Sequence, residues 1–417
     1  MKPVAERLTP QPWMSAPETV AVIAALTARG GTARFVGGCV RDSVLRRPVK
    51  DVDIATSDVP ETVLDLLTAA GLEVAPTGLA HGTVTAISGG LPFEITTLRR
   101  DVATDGRRAT VAFTDDWAAD AARRDFTLNA LYLDPDGTLY DPTGGLPDLR
   151  AGRVRFVGDP ASRIQEDYLR ILRFFRIYAH YGKPPPDAAA LAACQQHAAG
   201  LAQLSAERVA HELLRILGAA DPAAVLELTA RTGVLARIVP EAANLDRLGA
   251  LARCDGADPS PLRRLAAVAH GGPDDMAALA NRLKLSNKDR DRLVALAVPA
   301  LITTTADPIT RRALLYRSGR ESFADSVYLR WAADELDNAA GWQALLTEAA
   351  HWRKPMLPVG GEDALAAGVP RGPEVGHALQ AVEDLWIASD FLAGRGELLA
   401  ELWQIGRAFG GRSASGD

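Results

Sequence analysis

The chain has 417 residues, and this length exceeds what one ordinary hydrophobic core supports, so we expect two to four domains. Hydrophobic residues make up 47% and charged residues 24%, a balance that excludes a fibrous or fully disordered chain. The formal net charge of -6 argues against a protein that coats nucleic acid non-specifically, although a local basic surface remains compatible with it.

The sequence shows no signal for a membrane or an oxidising compartment. No run of about 18 apolar residues occurs, so no transmembrane helix is predicted. The N-terminal segment contains Glu6 and Arg7 and lacks the apolar core of a signal peptide, so we expect a cytoplasmic protein. The three cysteines form no CxxC pair and fit neither a zinc site nor a disulfide framework.

The two parts of the chain differ in their secondary-structure signals. Up to about residue 150, helix and strand patterns alternate, whereas from about residue 160 strand signals vanish and amphipathic blocks rich in Ala, Leu and Arg remain. We therefore predict an α+β head followed by an all-α multi-helical C-terminal portion. The elements predicted in the head are helix 17–28, strand 33–36, helix 39–46, strand 49–55, helix 60–70 and a hairpin of strands 81–88 and 91–98.

Two glycines followed by a pair of aspartates form the most telling pattern in the head. The letters FVGGCVRD are followed nine residues later by DVD, whose Asp51 and Asp53 leave the same face of the predicted strand. Two carboxylates held in this way can bind Mg²⁺, and Gly37 and Gly38 place the free N–H groups of a helix start beside a phosphate. Arg41, one turn into that helix, can pair with phosphate oxygens. The open alternative is a solvated strand end beside an ordinary strand–turn–helix.

Two charged motifs follow. In RRDFTLNA, Asp125 and Asn129 stand four residues apart, so we predict that they share a helix face, while Arg124 is placed to meet a phosphate or a sugar. In RIQEDYLRILRFFR, a single helix over 163–176 would gather the charged side chains on one half of its surface. Four arginines against two acids leave guanidinium donors in excess, although a solvated face with internal ion pairs is the usual meaning of such charges. The set consists of Arg163, Glu166, Asp167, Arg170, Arg173 and Arg176.

Asp167 and Arg170 suit the recognition of a nucleobase. A carboxylate accepts a hydrogen bond from an exocyclic amino group, and a guanidinium donates to a ring nitrogen or a carbonyl oxygen. Cytosine and adenine both present an amino group beside an acceptor, whereas uracil and guanine place a carbonyl there. The pair is therefore expected to admit C and A and to reject U and G, so that protein side chains serve as the template.

Together these motifs resemble those of bacterial class II tRNA nucleotidyltransferases, the CCA-adding enzymes, whose close relatives are bacterial poly(A) polymerases. GGCVRD, DVD, RRDFTLNA and EDYLRILRFFR stand in the family's order, and LSAERVAHE resembles the family's SxER…E element. The resemblance implies a head of the DNA polymerase beta-type nucleotidyltransferase fold, then a helical neck, body and tail. We place these four regions at 1–155, 156–220, 221–300 and 301–417.

The resemblance also implies roles for individual residues. It implies that Asp51 and Asp53 bind Mg²⁺ and that Asp167 and Arg170 read the base. Glu94, on the neighbouring hairpin strand, is our candidate for a third catalytic carboxylate, the alternative being a surface residue of the hairpin. The nucleotide-binding set is completed by Gly38, Arg41, Arg124, Arg173 and Arg176 from the resemblance, and by Gly37, Asp125 and Asn129 from the patterns above.

The implied activity is template-independent addition of CCA to the 3′ end of tRNA from CTP and ATP, with release of pyrophosphate. Residues 99–108 lie where the family keeps a flexible loop that helps the switch from C to A addition, which favours the full CCA activity. Basic residues of the helical portion are candidates for contacts with tRNA phosphates, or they form an ordinary solvated helix face. They are Lys284, Lys288, Arg290 and Arg292.

Two other functions stay open. A poly(A) polymerase shares every motif quoted above, although the acidic charge favours tRNA over arbitrary RNA. A non-catalytic RNA-binding protein with a nucleotidyltransferase-like head is the second alternative, and the intact pair of Asp51 and Asp53 argues against it.

Overall fold

The computed structural model describes residues 1–75, 78–79, 82–104, 109–242, 244–269, 271–334 and 338–413 of the chain. They divide into two compact units, Met1–Ala242 and Ala243–Asp417. The first unit holds the α+β head and the first helices after it, and the second unit is helical. The finer division at residues 155, 220 and 300 stays a prediction.

Ten strands of the head form two sheets. Their bounds are β1 Pro3–Arg7, β2 Ala33–Val36, β3 Val52–Thr56, β4 Glu73–Ala75, β5 Thr83–Ser88, β6 Leu91–Thr97, β7 Arg99–Thr104, β8 Ala109–Phe113, β9 Tyr132–Leu133 and β10 Thr138–Tyr140. Eight of them make one mixed sheet in the order β1-β10-β9-β2-β3-β6-β5-β4, in which only β3 and β6 pair in parallel. Strands β7 and β8 form a separate antiparallel ribbon.

The register of the central strands separates apolar from acidic side chains. Phe35, Ile54 and Ile95 lie side by side on β2, β3 and β6 and are fully buried. Because side chains alternate along a strand, Asp53 points to the opposite face, where it stands in register with Glu94. The same alternation that builds the core therefore places two carboxylates next to each other on the other face of the sheet.

Five helices accompany the strands of the head. Two of them, α1 and α3, begin with proline in the first turn, a position that suits this residue. Each has an apolar stripe, and through these stripes the two helices pack against each other and against β5. The short α2 directly follows β2, and α4 contacts β7. The bounds are α1 Pro17–Thr27, α2 Gly38–Val44, α3 Pro60–Ala69, α4 Trp117–Ala122 and α5 Gly145–Ala151.

The predicted elements of the head are present, with shifted ends. Strand 33–36 is found as predicted, but β3 begins at Val52 instead of residue 49, so Asp51 lies directly before the strand and not within it. The partner strand β2 ends at Val36, where the next residue, Gly37, adopts a φ of 72°, so β2 offers no strand edge opposite residues 49–51. His81, the first residue of the predicted hairpin, lies outside the described residues.

From α5 onward, the described residues contain helices and no strand. This agrees with the predicted all-α portion. The helices of the first unit are α6 Pro160–Glu166, α7 Leu169–Tyr181, α8 Ala188–His197, α9 Ala206–Leu217, α10 Pro222–Arg231 and α11 Leu235–Ile238. Those of the second unit are α12 Leu245–Cys254, α13 Pro261–Val268, α14 Pro273–Arg282, α15 Asn287–Leu296, α16 Pro308–Ala333, α17 Ala339–His351, α18 Gly361–Ala366, α19 Pro373–Ala388 and α20 Arg395–Ser413.

The prediction of one continuous helix over 163–176 is wrong. The chain leaves the helical conformation at Asp167, whose φ and ψ are -157° and 107°, and α7 begins two residues later. The cause is local, because the Asp167 carboxylate accepts a hydrogen bond from the N–H of Leu169 at 3.0 Å and so caps the new helix in place of a continuing turn. Asp167 therefore projects from a corner between two helices.

No described helix combines the length and the apolar character needed to cross a bilayer.

Candidate active site

The turn between β2 and α2 forms the floor of the site. Gly37 has a φ of 72° and a ψ of -124°, a backbone conformation that strains any residue with a Cβ. A Cβ built on Gly37 would stand 3.8 Å from Oδ2 of Asp53 and 3.8 Å from Nη1 of Arg124. The carboxylate of β3 and the guanidinium that follows α4 therefore converge on this glycine.

The three predicted carboxylates lie on neighbouring positions of the sheet. Asp53 and Glu94 are paired in register on β3 and β6, and Asp51 precedes β3. The pKa of Asp53 is raised to about 6, chiefly by burial and then by Glu94 and Asp51, against the lowering effects of Arg124 and Arg41. Both arginines are already paired with other acids, so the three carboxylates carry a surplus of negative charge.

This surplus of negative charge fits a divalent cation bound by oxygen ligands. In the part of the chain that the structure describes, however, no group of three or more His, Cys, Asp or Glu side chains is arranged to hold a metal ion. The roles of Asp51 and Asp53 in metal binding and of Glu94 as a third catalytic carboxylate stay predictions.

Arg124 is anchored along one edge only. Its Nε and Nη2 donate to the buried carboxylate of Asp120 at 3.3 and 3.1 Å, and its Nε also donates to the hydroxyl of Tyr132 at 3.2 Å. None of the described residues accepts a hydrogen bond from Nη1, the atom that faces Gly37. This nitrogen is available to an anionic ligand above the turn.

Arg41 is more completely engaged. Its Nη1 donates to Oδ1 of Asn129 at 2.7 Å, its Nη2 donates to the hydroxyl of Tyr181 at 2.6 Å, and its Nε donates to Asp42 at 3.0 Å. Its guanidinium carbon also lies 3.9 Å from the centre of the Tyr181 ring. Arg41 therefore ties α2 to the last residue of α7, and contact with a nucleotide would have to share or replace these bonds.

Asn129 and Asp125 continue the connection from the head to α7. Nδ2 of Asn129 donates to Asp125 at 3.2 Å, and Asp125 forms an ion pair with Arg173 at 2.8 Å. Burial raises the pKa of Asp125, but Arg173 and the hydrogen bonds from Asn129 and the N–H of Phe126 outweigh it and lower the pKa below its ordinary value. The carboxylate is therefore ionised.

The prediction that Asp125 and Asn129 share a helix face is wrong, because the two residues do not lie on one helix. Their side chains nevertheless form a hydrogen bond. Phe126 is extended, with φ -125° and ψ 146°, and only Thr127–Asn129 forms one turn of 3₁₀ helix. The side-chain hydrogen bond between the two residues spans this irregular turn. Burial of Phe126, which is fully inaccessible, holds the extended residue in place.

The proposed base-reading residues lie at the corner between α6 and α7, and each has a protein partner. Asp167 accepts from Nη2 of Arg208 at 2.7 Å. Arg170 donates through Nη1 to the carbonyl of Arg163 at 2.7 Å and pairs with Glu166. Arg176, further along α7, pairs with Glu212 at 3.2 Å. These partners orient the three groups, and they occupy only part of their hydrogen-bonding capacity.

An unused donor remains on α7. Nε of Arg173 is buried and has no hydrogen-bond partner among the described residues, whereas the buried Nε of Arg176 lies 3.2 Å from Oε2 of Glu212 in their ion pair. Buried polar atoms without partners are uncommon in proteins. Arg173 therefore keeps a donor that a ligand could use.

Sequence reasoning missed several residues that hold this site together. Arg208 and Glu212 belong to the quoted LSAERVAHE motif but were assigned no contact, and Glu166 was treated only as one charge of a helix face. The spacing of Asp120 and Arg124, four residues apart, was an available signal. No sequence pattern indicated Tyr132 or Tyr181, because each accepts its hydrogen bond from an arginine only in the folded chain.

Two of the basic residues that were expected to contact tRNA form ion pairs in the second unit. Arg292 pairs with Asp325 at 2.9 Å and with Glu321 at 2.6 Å, and Arg290 pairs with Asp291 at 2.9 Å. The side chain of Arg292 is largely covered and has two acidic partners, so a phosphate contact would have to share or replace these ion pairs, and its contact with tRNA stays a prediction. Of the expected switch loop, the ribbon strands β7 and β8 are described, and residues 105–108 lie outside the described part.

Comparisons with known proteins agree with the geometry. The model of the poly A polymerase head domain matches residues 33–155, and the model described as a probable RNA- and SrmB-binding site of polymerase A matches residues 186–245. The chain is 37% identical to the CCA tRNA nucleotidyltransferase 1, mitochondrial, of Mus musculus, over 88% of this chain and 85% of that protein. It is 33% identical to a CCA-adding enzyme of Limosilactobacillus fermentum, over 91% and 96% of the two chains.

The chain belongs to the CCA tRNA nucleotidyltransferase family. A similar solved structure is that of the Bacillus stearothermophilus CCA-adding enzyme in complex with CTP, with a TM-score of 0.71 and 29% identity, covering 95% of this chain and 98% of that one. The fold class predicted from the motifs, a nucleotidyltransferase head followed by a helical remainder, is therefore confirmed, and the protein is a transferase of this family.

Proposed function

We propose that this protein adds CCA to the 3′ end of tRNA from CTP and ATP without a nucleic acid template. The observation that carries the proposal is a continuous polar path from the catalytic carboxylate to the base-reading corner. Asp53 and Arg124 converge on Gly37, and Arg41, Asn129 and Asp125 connect the same turn to Arg173 on α7. A similar structure with 29% identity was solved in complex with CTP, which supports nucleotide binding by this chain.

We assign Asp51 and Asp53 to Mg²⁺ binding, with Glu94 as a third acidic group beside them. The register of Asp53 with Glu94 and the position of Asp51 directly before β3 support this assignment, because carboxylate oxygens are the ligands that Mg²⁺ prefers. When bound, the metal ion supplies Lewis-acid stabilisation of the charge that develops as the tRNA 3′-hydroxyl attacks the α-phosphate and pyrophosphate leaves. The residues of the chain hold the triphosphate, with Nη1 of Arg124 aimed at it across Gly37 and Gly38.

A thermal-shift experiment tests the metal assignment. In the absence of nucleotide, Mg²⁺ is expected to raise the Tm of the wild-type protein, and Asp53→Asn should lose most of this shift because it removes a charged ligand. Glu61→Gln, an exposed acid on α3, is the matched control and should keep the shift. An equal shift in all three proteins would place the metal elsewhere.

Base selection is assigned to Asp167 and Arg170. Asp167 accepts from the amino group of cytosine or adenine, and Arg170 donates to the neighbouring ring nitrogen or carbonyl oxygen. In the structure, Asp167 is held by Arg208 and Arg170 by Glu166, so that both are oriented before a base arrives. Such preorganisation lowers the entropic cost of recognition.

The helical remainder is assigned to the acceptor arm of tRNA, which it would contact through phosphates and overall shape because such contacts carry no sequence information. The match of residues 186–245 to a probable RNA-binding region supports this assignment. A cytoplasmic location is part of the proposal, although three vertebrate relatives are named as mitochondrial proteins. Cell fractionation with an antibody against the chain tests the location.

The deciding experiment is an incorporation assay with two RNAs. We expect a tRNA that lacks CCA to grow by three nucleotides with CTP and ATP, and an unstructured RNA of equal length to stay unextended. Long tails made from ATP alone would instead identify a poly(A) polymerase. The match to the poly A polymerase head domain is consistent with that activity too. RNA binding without any extension would identify the non-catalytic alternative.

A further inference from the structure

We infer that Asp120 is the positioning residue that aims Arg124 at the incoming nucleotide, an inference that rests on the proposed function. Asp120 lies on α4, outside every motif by which the site was recognised, and only 1% of its surface is exposed. A buried carboxylate is stable only with close partners, so its hydrogen bonds indicate what it serves.

The two oxygens of Asp120 divide their partners. Oδ2 accepts from Nε and Nη2 of Arg124 at 3.3 and 3.1 Å and from the hydroxyl of Tyr132 at 2.7 Å. Oδ1 accepts from Nε and Nη2 of Arg123 at 2.9 and 2.7 Å and from the N–H of Arg99 at 3.3 Å. One oxygen thus holds the site arginine and the other anchors structural groups.

The charge of Asp120 is retained despite its burial. Burial raises the pKa of this carboxyl, but Arg124 and Arg123 outweigh the effect, so the pKa lies below its ordinary value. The carboxylate is consequently ionised over the range in which the protein would work, and the contact with Arg124 is charge-assisted.

The contact fixes one edge of Arg124 and leaves the other edge available. With Nε and Nη2 held by Asp120 and Tyr132, the planar guanidinium has one orientation, and Nη1 faces the turn at Gly37 beside Oδ2 of Asp53. Without Asp120, Arg124 would keep its charge but lose this orientation, and it would be free to pair with the acids of the metal site.

The network around Asp120 also extends toward the base-reading corner. Arg163, on α6, donates to the backbone carbonyl of Arg124 at 3.0 Å and pairs with Glu166, which in turn holds Arg170. The side chain and the backbone of Arg124 are therefore both fixed, one by Asp120 and the other by α6. A shift of Arg124 is opposed from two sides, as expected of a residue whose position matters for the ligand.

A double-mutant cycle tests the inference. We compare wild type, Asp120→Asn, Arg124→Ala and the double variant in single C addition to a tRNA that lacks CCA, measuring KM for CTP and kcat separately. Asp120→Asn keeps the shape but loses the charge, and it is expected to raise KM for CTP about tenfold, which is the size of one charge-assisted contact. In the Arg124→Ala background the same change should alter KM less than about twofold, because the residue it positions is gone.

A matched control separates positioning from folding. Asp255 is fully buried and pairs with Arg263 and Arg264, which belong to no proposed site. Asp255→Asn is therefore expected to lower Tm while leaving KM for CTP within about twofold of wild type. An increase in KM equal to that of Asp120→Asn would mean that the effect reports general destabilisation, and would overturn the inference.

Further outcomes decide the remaining cases. A tenfold rise in KM that persists in the Arg124→Ala background would overturn the inference, because Asp120 would then act by another route. If Asp120→Asn does not fold, Tyr132→Phe takes its place in the same cycle, since it removes one hydroxyl that contacts both Asp120 and Arg124. Tyr132→Phe is expected to raise KM for CTP about threefold in the wild-type background and to have no effect in the Arg124→Ala background. An unchanged KM in the wild-type background would count against the inference.

Failure of the proposed function would look different. A wild-type protein that extends RNA with ATP alone would contradict CCA addition. The double-mutant cycle would then measure KM for ATP, and Asp120→Asn should again raise KM in the wild-type background and alter it little in the Arg124→Ala background. The positioning role and the identity of the product are thus tested by separate measurements.

Discussion

Two arginine–carboxylate networks, one in each unit, have similar composition and differ in their access to ligand. In the first unit, the nucleotide network consists of Arg41, Arg124, Asp125, Asn129, Asp167, Arg170, Arg173 and Arg176. In the second unit, the body network joins Asp255 and Asp325 to Arg263, Arg264 and Arg292.

The difference lies in burial. The side chains of Asp255, Asp325, Arg263 and Arg264 are at most 4% exposed, and Arg264 alone makes several hydrogen bonds with Asp255. In the nucleotide network, by contrast, the side chain of Arg173 is 37% exposed and that of Asp167 is 23% exposed. Arginine–carboxylate pairing therefore indicates a ligand site only where the charged groups remain accessible to a ligand, and a network closed to solvent indicates a structural role.

The largest expected effect concerns the metal pair, which has no counterpart in the body network. Asp53→Ala should lower kcat for C addition by about 10³-fold or more, since metal stabilisation of a transition state is worth several kcal/mol. Binding of tRNA, measured by a gel-shift titration, should stay within about threefold of wild type, because the contacts assigned to tRNA lie in the helical remainder.

Asp65→Ala, an exposed aspartate on α3 of the same head, is the control and should keep its activity. A variant with Ala at position 53 and normal turnover would show that the carboxylates on β3 do not bind the metal.

The second prediction breaks the body network. Asp255→Ala leaves Arg263 and Arg264 buried without their shared acid, so the free energy of unfolding should fall by about 3–5 kcal/mol, measured by urea denaturation. KM for CTP, measured well below the unfolding transition, should not change, because none of the proposed nucleotide-binding residues is in this network.

The control is Asp384→Ala, which removes an exposed pair with Arg317 and should cost less than about 0.5 kcal/mol. Equal losses in the two variants would contradict the view that burial decides what the body network contributes.

The sequence predicted the parts of the fold and site that depend on neighbouring residues. The glycine turn, the aspartate pair and the strand of residues 33–36 follow from local backbone and alternation rules. Strands β9 and β10 have two and three residues and no periodicity, so nothing in the sequence marked them.

The break at Asp167 illustrates why the rest was not predictable. A periodic run of charges favours one helix. The carboxylate that is proposed to read a base, however, accepts a hydrogen bond from the N–H of Leu169, and this local hydrogen bond interrupts the helix at Asp167. The contacts of Tyr181 with Arg41 and of Arg208 with Asp167 join residues 140 and 41 positions apart, and such pairs appear only after the chain has folded.

The third prediction tests whether the open network selects the base. Arg170→Ala should reduce the preference for CTP over UTP by about 10- to 100-fold, because one base contact of this kind contributes about 1–3 kcal/mol of discrimination. Arg170→Lys keeps the charge but loses the planar fork, so its discrimination should be reduced almost as much.

Arg215→Ala, which removes an exposed arginine of α9, should leave the ratio of kcat/KM for the two nucleotides unchanged. Discrimination against UTP that survives in both variants of Arg170 would remove Arg170 from the account of base reading.

The smallest effect is expected from a change of Glu166, the acid that orients Arg170, instead of a change of a residue that contacts the base. Glu166 accepts from both Arg163 and Arg170, and Glu166→Gln keeps an acceptor oxygen while removing the charge. Because charge-assisted hydrogen bonds are stronger than neutral ones, Arg170 should be held less firmly, with a loss of CTP preference of about two- to tenfold and little change in stability. Glu227→Gln, on the exposed face of α10, should show no loss. If Glu166→Gln instead lowered stability as much as Asp255→Ala and left the nucleotide preference intact, the corner between α6 and α7 would be a second sealed network, and preorganisation of Arg170 by its acidic neighbour would be refuted.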